Sequence, residues 1–138
     1  MSLRWLVDKS ALARLGKPLV ADALIPRIDA GQVGSCVVTD LEVGFSARST
    51  ADHEAILALL DRLVPVVMPL RAEQMARDLQ RSLVESGRHR SAGVADLLVA
   101  SIAATAGLTV LHYDNDFDVI ASVTGQPVEW IVPRGSAD

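Results

Sequence analysis

The sequence is poor in aromatic side chains, which make up 4% of its 138 residues, and it holds a single cysteine. Any core must therefore be built from Leu, Val, Ile and Ala, and with 50% hydrophobic residues the chain falls outside the disordered class. Cys36 has no partner for an internal disulfide and reads as a small core residue rather than a catalytic thiol. No apolar run approaches the roughly 20 residues needed to span a bilayer. The N-terminal run is cut by Asp8, too early for a signal peptide, so a cytoplasmic location is expected. Positive charge is scarce as well. A net charge of −4 excludes a broad basic face for nucleic acid, so any such role must rest on a local site. Internal repeats, low-complexity tracts and linkers are lacking too. A single domain over residues 1–132 is expected, followed by a loose tail over 133–138. That tail, "PRGSAD", resembles the remnant of a protease-cleaved tag and carries no functional weight here.

What is present alternates between strand and helix patterns. Strands are expected at Leu3–Val7, "GSCVV", "VPVVM", "LTVLHY" and "VEWIV". Between them come helical "KSALARL" and "LVADALIPRIDAG", the latter kinked or stopped by Pro26. A helix opens at Thr39-Asp-Leu-Glu42, and "TADHEAILALLDRL" gives an amphipathic one. Ala72–Ser86 aligns Ala72, Met75, Ala76, Leu79 and Leu83 on one face, and a helix from Ser91 to Ala106 follows. Glycines 87 and 107 end these last two. Strands separated by helices predict an α/β fold with a mostly parallel sheet, because parallel neighbours need a crossover.

On this map the acidic residues fall where strands end. Asp8 follows the first strand, Glu42 lies beyond the second, and "YDNDFD" places Asp114, Asp116 and Asp118 after the fourth. Open parallel sheets bind ligands at that edge. Each acid also has an ordinary local use. Asp8 and Asp116 suit helix caps, Thr39 and Glu42 fit a capping box, Asp118 suits a first helical turn and Asp114 a turn. Asp96 sits about one turn into an apolar helix, facing Val99, Ala100 and Ala103, so it must be paired, protonated or bound to a cation. Arg88 or Arg90 would serve as its salt-bridge partner. Taken together the local readings weaken. Two carboxylates about 4 Å apart repel by roughly 4 kcal/mol at an effective dielectric near 20. An all-oxygen set without a Cys or His cluster suits Mg²⁺ or Mn²⁺.

Asp8-Lys-Ser10, Glu42 in "TDLEVGFSAR", Asp96 in "GVADLLVASIA" and Asp114-Asn-Asp116-Phe117 resemble the pattern of PIN-domain nucleases. Length and element order resemble the VapC toxins of bacterial toxin–antitoxin pairs. The resemblance implies a three-layer α/β/α sandwich with an acidic pocket at the strand ends. It implies an endoribonuclease dependent on Mg²⁺ or Mn²⁺ that cuts tRNA or ribosomal RNA. Asp8, Glu42, Asp96 and Asp114 carry over as the acidic quartet and Asp116 as a fifth member, with Ser10 supporting Asp8 and Phe117 seating the motif. Asp8, Asp96, Asp114 and Asp116 are the expected metal ligands, with Glu42 a ligand through water or a base. Lys9 and His112 depart from the commonest pattern, which has Thr at the first position and Ser or Thr at the second. Lys9 reads as a surface charge or a phosphate contact, and His112 as a supporting donor or a polar strand-end residue; Thr39 is a further supporting residue. Arg48, Arg88 and Arg90 are candidate RNA contacts. A cognate VapB-type antitoxin and a second copy of the chain are the expected protein partners, docked on spare apolar faces of the helices at 19–31 and 51–63.

Two other readings compete. A Mg²⁺-dependent α/β phosphatase or phosphoreceiver-like domain would use Asp8 as a phosphorylated nucleophile, but it would want a Lys near a later strand end. The only lysines are Lys9 and Lys17. A catalytically silent PIN-like binding domain would have lost an acidic residue, and none of the four is missing.

Overall fold

A short strand, Trp5–Val7 (β1), lies at the centre of the sheet, and its three residues are all buried. The computed structural model describes residues 2–138; residue 1, where the expected domain begins, lies outside the described residues. The other strands are Val33–Ser35 (β2), Val64–Pro65 (β3), Thr109–His112 (β4) and Val128–Trp130 (β5). They form a sheet in the order β3-β2-β1-β4-β5. Every pairing is parallel, with Leu6 beside Gly34 and Val110 and with Leu111 beside Glu129. Among the described residues seven helices make the crossovers: Lys9–Leu12 (α1), Pro18–Asp29 (α2), Val37–Phe45 (α3), Thr50–Leu60 (α4), Leu70–Glu85 (α5), Val94–Ala106 (α6) and Asp116–Thr124 (α7).

Alternation along the strands divides the core into two layers. Leu6 and Val110 face α5, α6 and α7, joining Ala72, Leu79, Leu83, Ile102, Phe117 and Ile120. Trp5, Val7 and Leu111 face the other way, onto Leu12, Val20, Leu24, Ile28 and Val43. The expected α/β/α sandwich is thus present, with a fully parallel sheet. No helix among the described residues is long and apolar enough to cross a membrane.

Several boundaries differ from the sequence reading. The run "GSCVV" is not one strand: β2 ends at Ser35, Cys36 caps α3, and Val37 and Val38 are helical. A short apolar run satisfies either pattern, and here Val38 packs against the core from within a helix. "VPVVM" pairs only at Val64–Pro65, on the sheet edge that tolerates proline. α2 runs through Pro26 instead of stopping there. α6 begins at Val94 rather than Ser91, with Gly93 in extended conformation as its cap. α4 buries no residue fully; Ile56, Leu59 and Leu60 are only partly covered, so its amphipathic pattern serves the core weakly.

The tail departs most from its expected looseness. Ala137 is 3% exposed. Its N–H donates to the Tyr113 hydroxyl at 2.9 Å, and its carbonyl accepts from Arg14 Nε at 3.2 Å. That hydroxyl in turn donates to Asp138 Oδ1 at 2.8 Å. The segment is held against the end of β4.

Candidate active site

Parallel strands end on one edge, and the helix preceding β4 runs back from that edge. Residues just after β1 and β4 and at the start of α6 therefore meet there, which explains how Asp8, Asp96 and Asp114 approach from distant parts of the chain. Oxygens of Asp96, Asp114 and Asp116 lie within 4.8 Å of one another, and all three residues are partly buried. Asp8 and Glu42 stand outside that trio. Asp8 remains within electrostatic reach of the trio, its charge adding to burial in raising the pKa of Asp96 and Asp116, and Glu42 is coupled to Asp8 in the same way.

The local backbone holds each acid in place. Asp8, 3% exposed, is the N-cap of α1 and accepts the Ser10 N–H at 2.9 Å. Ser10 Oγ accepts the Tyr113 N–H at 2.9 Å, tying the ends of β1 and β4 together. Asp96 lies in the first turn of α6 and accepts the Gly93 N–H at 3.1 Å. It therefore sits earlier in its helix than expected. Neither proposed cation pairs with it among the described residues, since Arg88 donates instead to Ser122 Oγ at 2.7 Å and Arg90 forms no ion pair. Asp114 Oδ1 accepts the Asp116 N–H at 2.9 Å, and Asp118 accepts Trp130 Nε1–H at 3.0 Å.

The electrostatics show the price of this gathering. Burial, then the charges of Asp8, Asp114 and Asp116, push the Asp96 carboxyl up to about 7, against the pull of the Gly93 hydrogen bond. Asp116 is raised by burial and by Asp114, Glu42 by burial and by Asp8. Lys9 Nζ lies 3.8 Å from Glu42 Oε2 and partly offsets that charge. Negative charge at the site is thus undercompensated by the protein, and the oxygen-only donor set fits a hard divalent cation.

The supporting residues take definite roles. Thr39 does not start its helix, so the Thr39–Glu42 capping box is absent; its hydroxyl donates to the Val7 carbonyl at 3.3 Å. His112 is wholly buried between Phe117 and Trp130. Its Nδ1 accepts the Asp114 N–H at 3.1 Å, which leaves the proton on Nε2, an atom without a partner among the described residues. Burial lowers its pKa and keeps the ring neutral. His112 is therefore an acceptor that fixes the Asp114 turn, rather than the supporting donor considered from sequence. Arg48, Arg88 and Arg90 are exposed and lie outside the acidic trio.

Sequence reasoning missed two neighbours of this site. Arg14, Tyr113, Asn115, Trp130 and Arg134 line a pocket of about 530 Å³ that shares Lys9 and Asp114 with the acidic edge. The available signal was position, because Arg134 follows the carboxyl end of the last parallel strand. On α3, Val37, Leu41 and Phe45 recur every four residues and are 48%, 69% and 83% exposed. Leu41 and Phe45 wall a cleft of about 620 Å³ with Leu57, Leu60 and Val64.

Comparison with known proteins agrees with this geometry. The sequence profile of the PIN domain matches residues 5–123. Ribonuclease VapC51 of Mycobacterium tuberculosis is 41% identical over 138 residues and is covered end to end, as is this chain. Ribonuclease VapC21 of the same organism is 42% identical, with 99% of this chain and 100% of that one aligned. Among solved structures, VapBC-5 of M. tuberculosis, a member of the VapBC family of toxin–antitoxin systems, superposes with a TM-score of 0.62 at 27% identity. It covers 93% of this chain and 95% of its own. The fold is shared as well by DNA-bound VapBC from Salmonella typhimurium, with a TM-score of 0.76, 17% identity and coverage of 94% and 99%. The chain belongs to the PIN domain family, among its VapC-type members.

Proposed function

We propose that the protein is an endoribonuclease toxin that hydrolyses phosphodiester bonds in tRNA or ribosomal RNA with Mg²⁺ or Mn²⁺ and is silenced by a VapB-type antitoxin. The observation that carries this reading is the undercompensated trio Asp96, Asp114 and Asp116 at the carboxyl edge of the sheet. These three would hold the ion, with Asp8 facing them from the end of β1. A divalent cation bound there supplies a Lewis acid for the phosphate and a water of lowered pKa. Glu42 has its pKa raised by burial and by Asp8, which suits it to take a proton from the attacking water. Ser10 and His112 hold the Asp8 and Asp114 segments by accepting backbone N–H groups. None of these roles uses an RNA 2′-hydroxyl, so RNA preference would come from shape and exposed loops. The phosphatase and silent-domain readings lose ground to the VapC-type relatives and to the filled acidic positions.

The antitoxin is assigned to the exposed α3 stripe and its cleft with α4, where an apolar helix would cover Leu41 and Phe45. α2 buries Val20, Leu24 and Ile28 in the core and has little left to offer. A second copy of the chain would cover another exposed group, Val67 and Leu70. A cytoplasmic location is part of this reading.

The test is cleavage of total tRNA and ribosomal RNA by antitoxin-free protein with Mg²⁺ or Mn²⁺. Discrete fragments should appear and should vanish with EDTA, Asp8→Asn or Asp96→Asn. Cleavage that survives all three controls refutes the assignment.

A further inference from the structure

We infer that the pocket between α1, the β4–α7 turn and the segment after β5 seats one nucleotide of single-stranded RNA flanking the cleaved bond, its phosphate held by Arg14 and Arg134. This rests on the ribonuclease reading above. The pocket holds about 530 Å³ and shares Asp114 and Lys9 with the acidic edge, so a strand crossing that edge continues directly into it. Its Lys9 is paired with Glu42, but its two arginines are poorly neutralised by the protein. Neither Arg14 nor Arg134 has a carboxylate within 4.0 Å among the described residues. Arg14 spends Nε and Nη1 on the carbonyls of Ala137 and Ser10, at 3.2 and 2.9 Å, and lies 4.5 Å over the Tyr113 ring. Arg134 gives only Nη1, to Asn115 Oδ1 at 2.9 Å, and lies 5.8 Å from the Trp130 ring centre. A guanidinium has five donors, so both retain N–H groups in the fork geometry that suits phosphate.

The competing cations are worse placed. Arg88 is drawn to Ser122 near the far end of α7. The pocket's own carboxylates are Asp114, at the wall shared with the acidic site, and Asp138, which accepts from the Tyr113 hydroxyl. Lys9 is shared with Glu42, so the recess is marked by two guanidinium groups without a carboxylate partner among the described residues, in a chain of net charge −4. A polynucleotide fits this division better than an acidic peptide. Its phosphates suit both the recess and a cation-loaded acidic edge, whereas a peptide carboxylate gains nothing by continuing towards Asp114.

Arg134 is exposed and its replacement leaves the core untouched. The experiment measures kcat and KM across a KCl series, on whichever RNA the parent protein cleaves. Variants Arg134→Gln, Arg134→Lys and Arg81→Gln, the last at an exposed position of α5, run beside the parent. Arg134→Gln should raise KM about five- to tenfold with kcat kept, and should lower the slope of log KM against log salt by about 0.7, the value of one single-strand phosphate. Arg134→Lys should keep the slope, and Arg81→Gln should change neither quantity. A parent that cleaves RNA while Arg134→Gln matches it in KM and slope overturns the pocket alone. A parent that cleaves nothing overturns the ribonuclease reading and the pocket with it. Loss of antitoxin binding in Arg134→Gln with KM unchanged assigns the recess to an acidic protein segment, which also overturns the inference.

Discussion

Replacing Asp96 with asparagine removes one negative charge from the acidic edge and keeps the side chain's shape and its acceptor for the Gly93 N–H. The carboxyl titrates near 7 in the folded protein against an ordinary value of 3.8, chiefly because it is buried and then because Asp8, Asp114 and Asp116 surround it. That difference corresponds to about 4 kcal/mol against the charged form; partial exposure and relaxation of neighbours reduce it to about 2–3 kcal/mol. The sign follows from proton binding. Below pH 4 the carboxyl is neutral in both folded and unfolded chains, and no penalty exists. Between 4 and 7 the unfolded chain has released its proton while the folded one keeps it, so stability falls as pH rises. Above 7 both are ionised and the full penalty stays. In EDTA, therefore, the parent should lose stability from pH 4 to pH 8, and Asp96→Asn should lose much less. The variant should unfold roughly 5–10 °C higher than the parent at pH 8, on about 3 °C per kcal/mol for a chain of this size. The two should nearly coincide at pH 4. Glu42 and Asp116 are also raised and leave the variant a shallower slope of the same sign. Thermal unfolding followed by circular dichroism measures this directly. Parallel curves for parent and variant across that pH range would refute the argument, because Asp96 would then ionise without cost.

Two further outcomes follow from the same geometry. His112→Asn places an amide oxygen near the position of Nδ1 and should keep the acceptor for the Asp114 N–H, whereas His112→Leu removes it. On the RNA cleaved by the parent, the leucine variant should lose roughly tenfold in kcat with KM little changed, and asparagine should restore most of it; equal losses in both would reduce His112 to packing. Phe45→Glu, at a side chain 83% exposed, should leave the unfolding temperature within about 2 °C of the parent and weaken antitoxin binding at least tenfold in a titration. Undiminished binding would move the antitoxin away from the α3–α4 cleft.

The parts legible in the sequence were those in which one short-range rule dominates. Of the α5 stripe, Ala72, Ala76, Leu79 and Leu83 are buried as the spacing requires, while Met75, expected on the same face, is exposed at its margin. Gly87 and Gly107 end their helices at φ +71° and +69°, where other residues are strained. The carboxyl-edge rule placed Asp8 and the Asp114 segment together because every strand is parallel. Errors arose where two local patterns were equally good. Cys36-Val37-Val38 satisfies a strand or a buried helical turn, and only packing decides. Arg134 was invisible for a different reason: its setting depends on Trp130, Asn115 and a tail pinned by Tyr113, contacts that no spacing within "PRGSAD" encodes.

The structural and chemical uses of the acids, set against each other when each residue is taken alone, are compatible in the same side chains. Asp8 Oδ2 receives the Ser10 N–H at the start of α1, and Asp96 Oδ2 receives the Gly93 N–H at the start of α6. Asp114 Oδ1 receives the Asp116 N–H at the start of α7. Each carboxylate thus spends one oxygen on a helix start and keeps the other for the edge. A helix N-terminus also carries partial positive charge, which favours a nearby anion by about 0.3–1 kcal/mol. Two of these helices are longer than two turns, and together with the caps they offset part of the repulsion among the acids. They do not offset all of it, because Asp96 still titrates near 7. The remainder is what a divalent cation would relieve on binding, and by linkage that relief appears as added stability of the folded state. Local capping and cation binding are therefore successive claims on the same carboxylates, the first fixing where the second can occur.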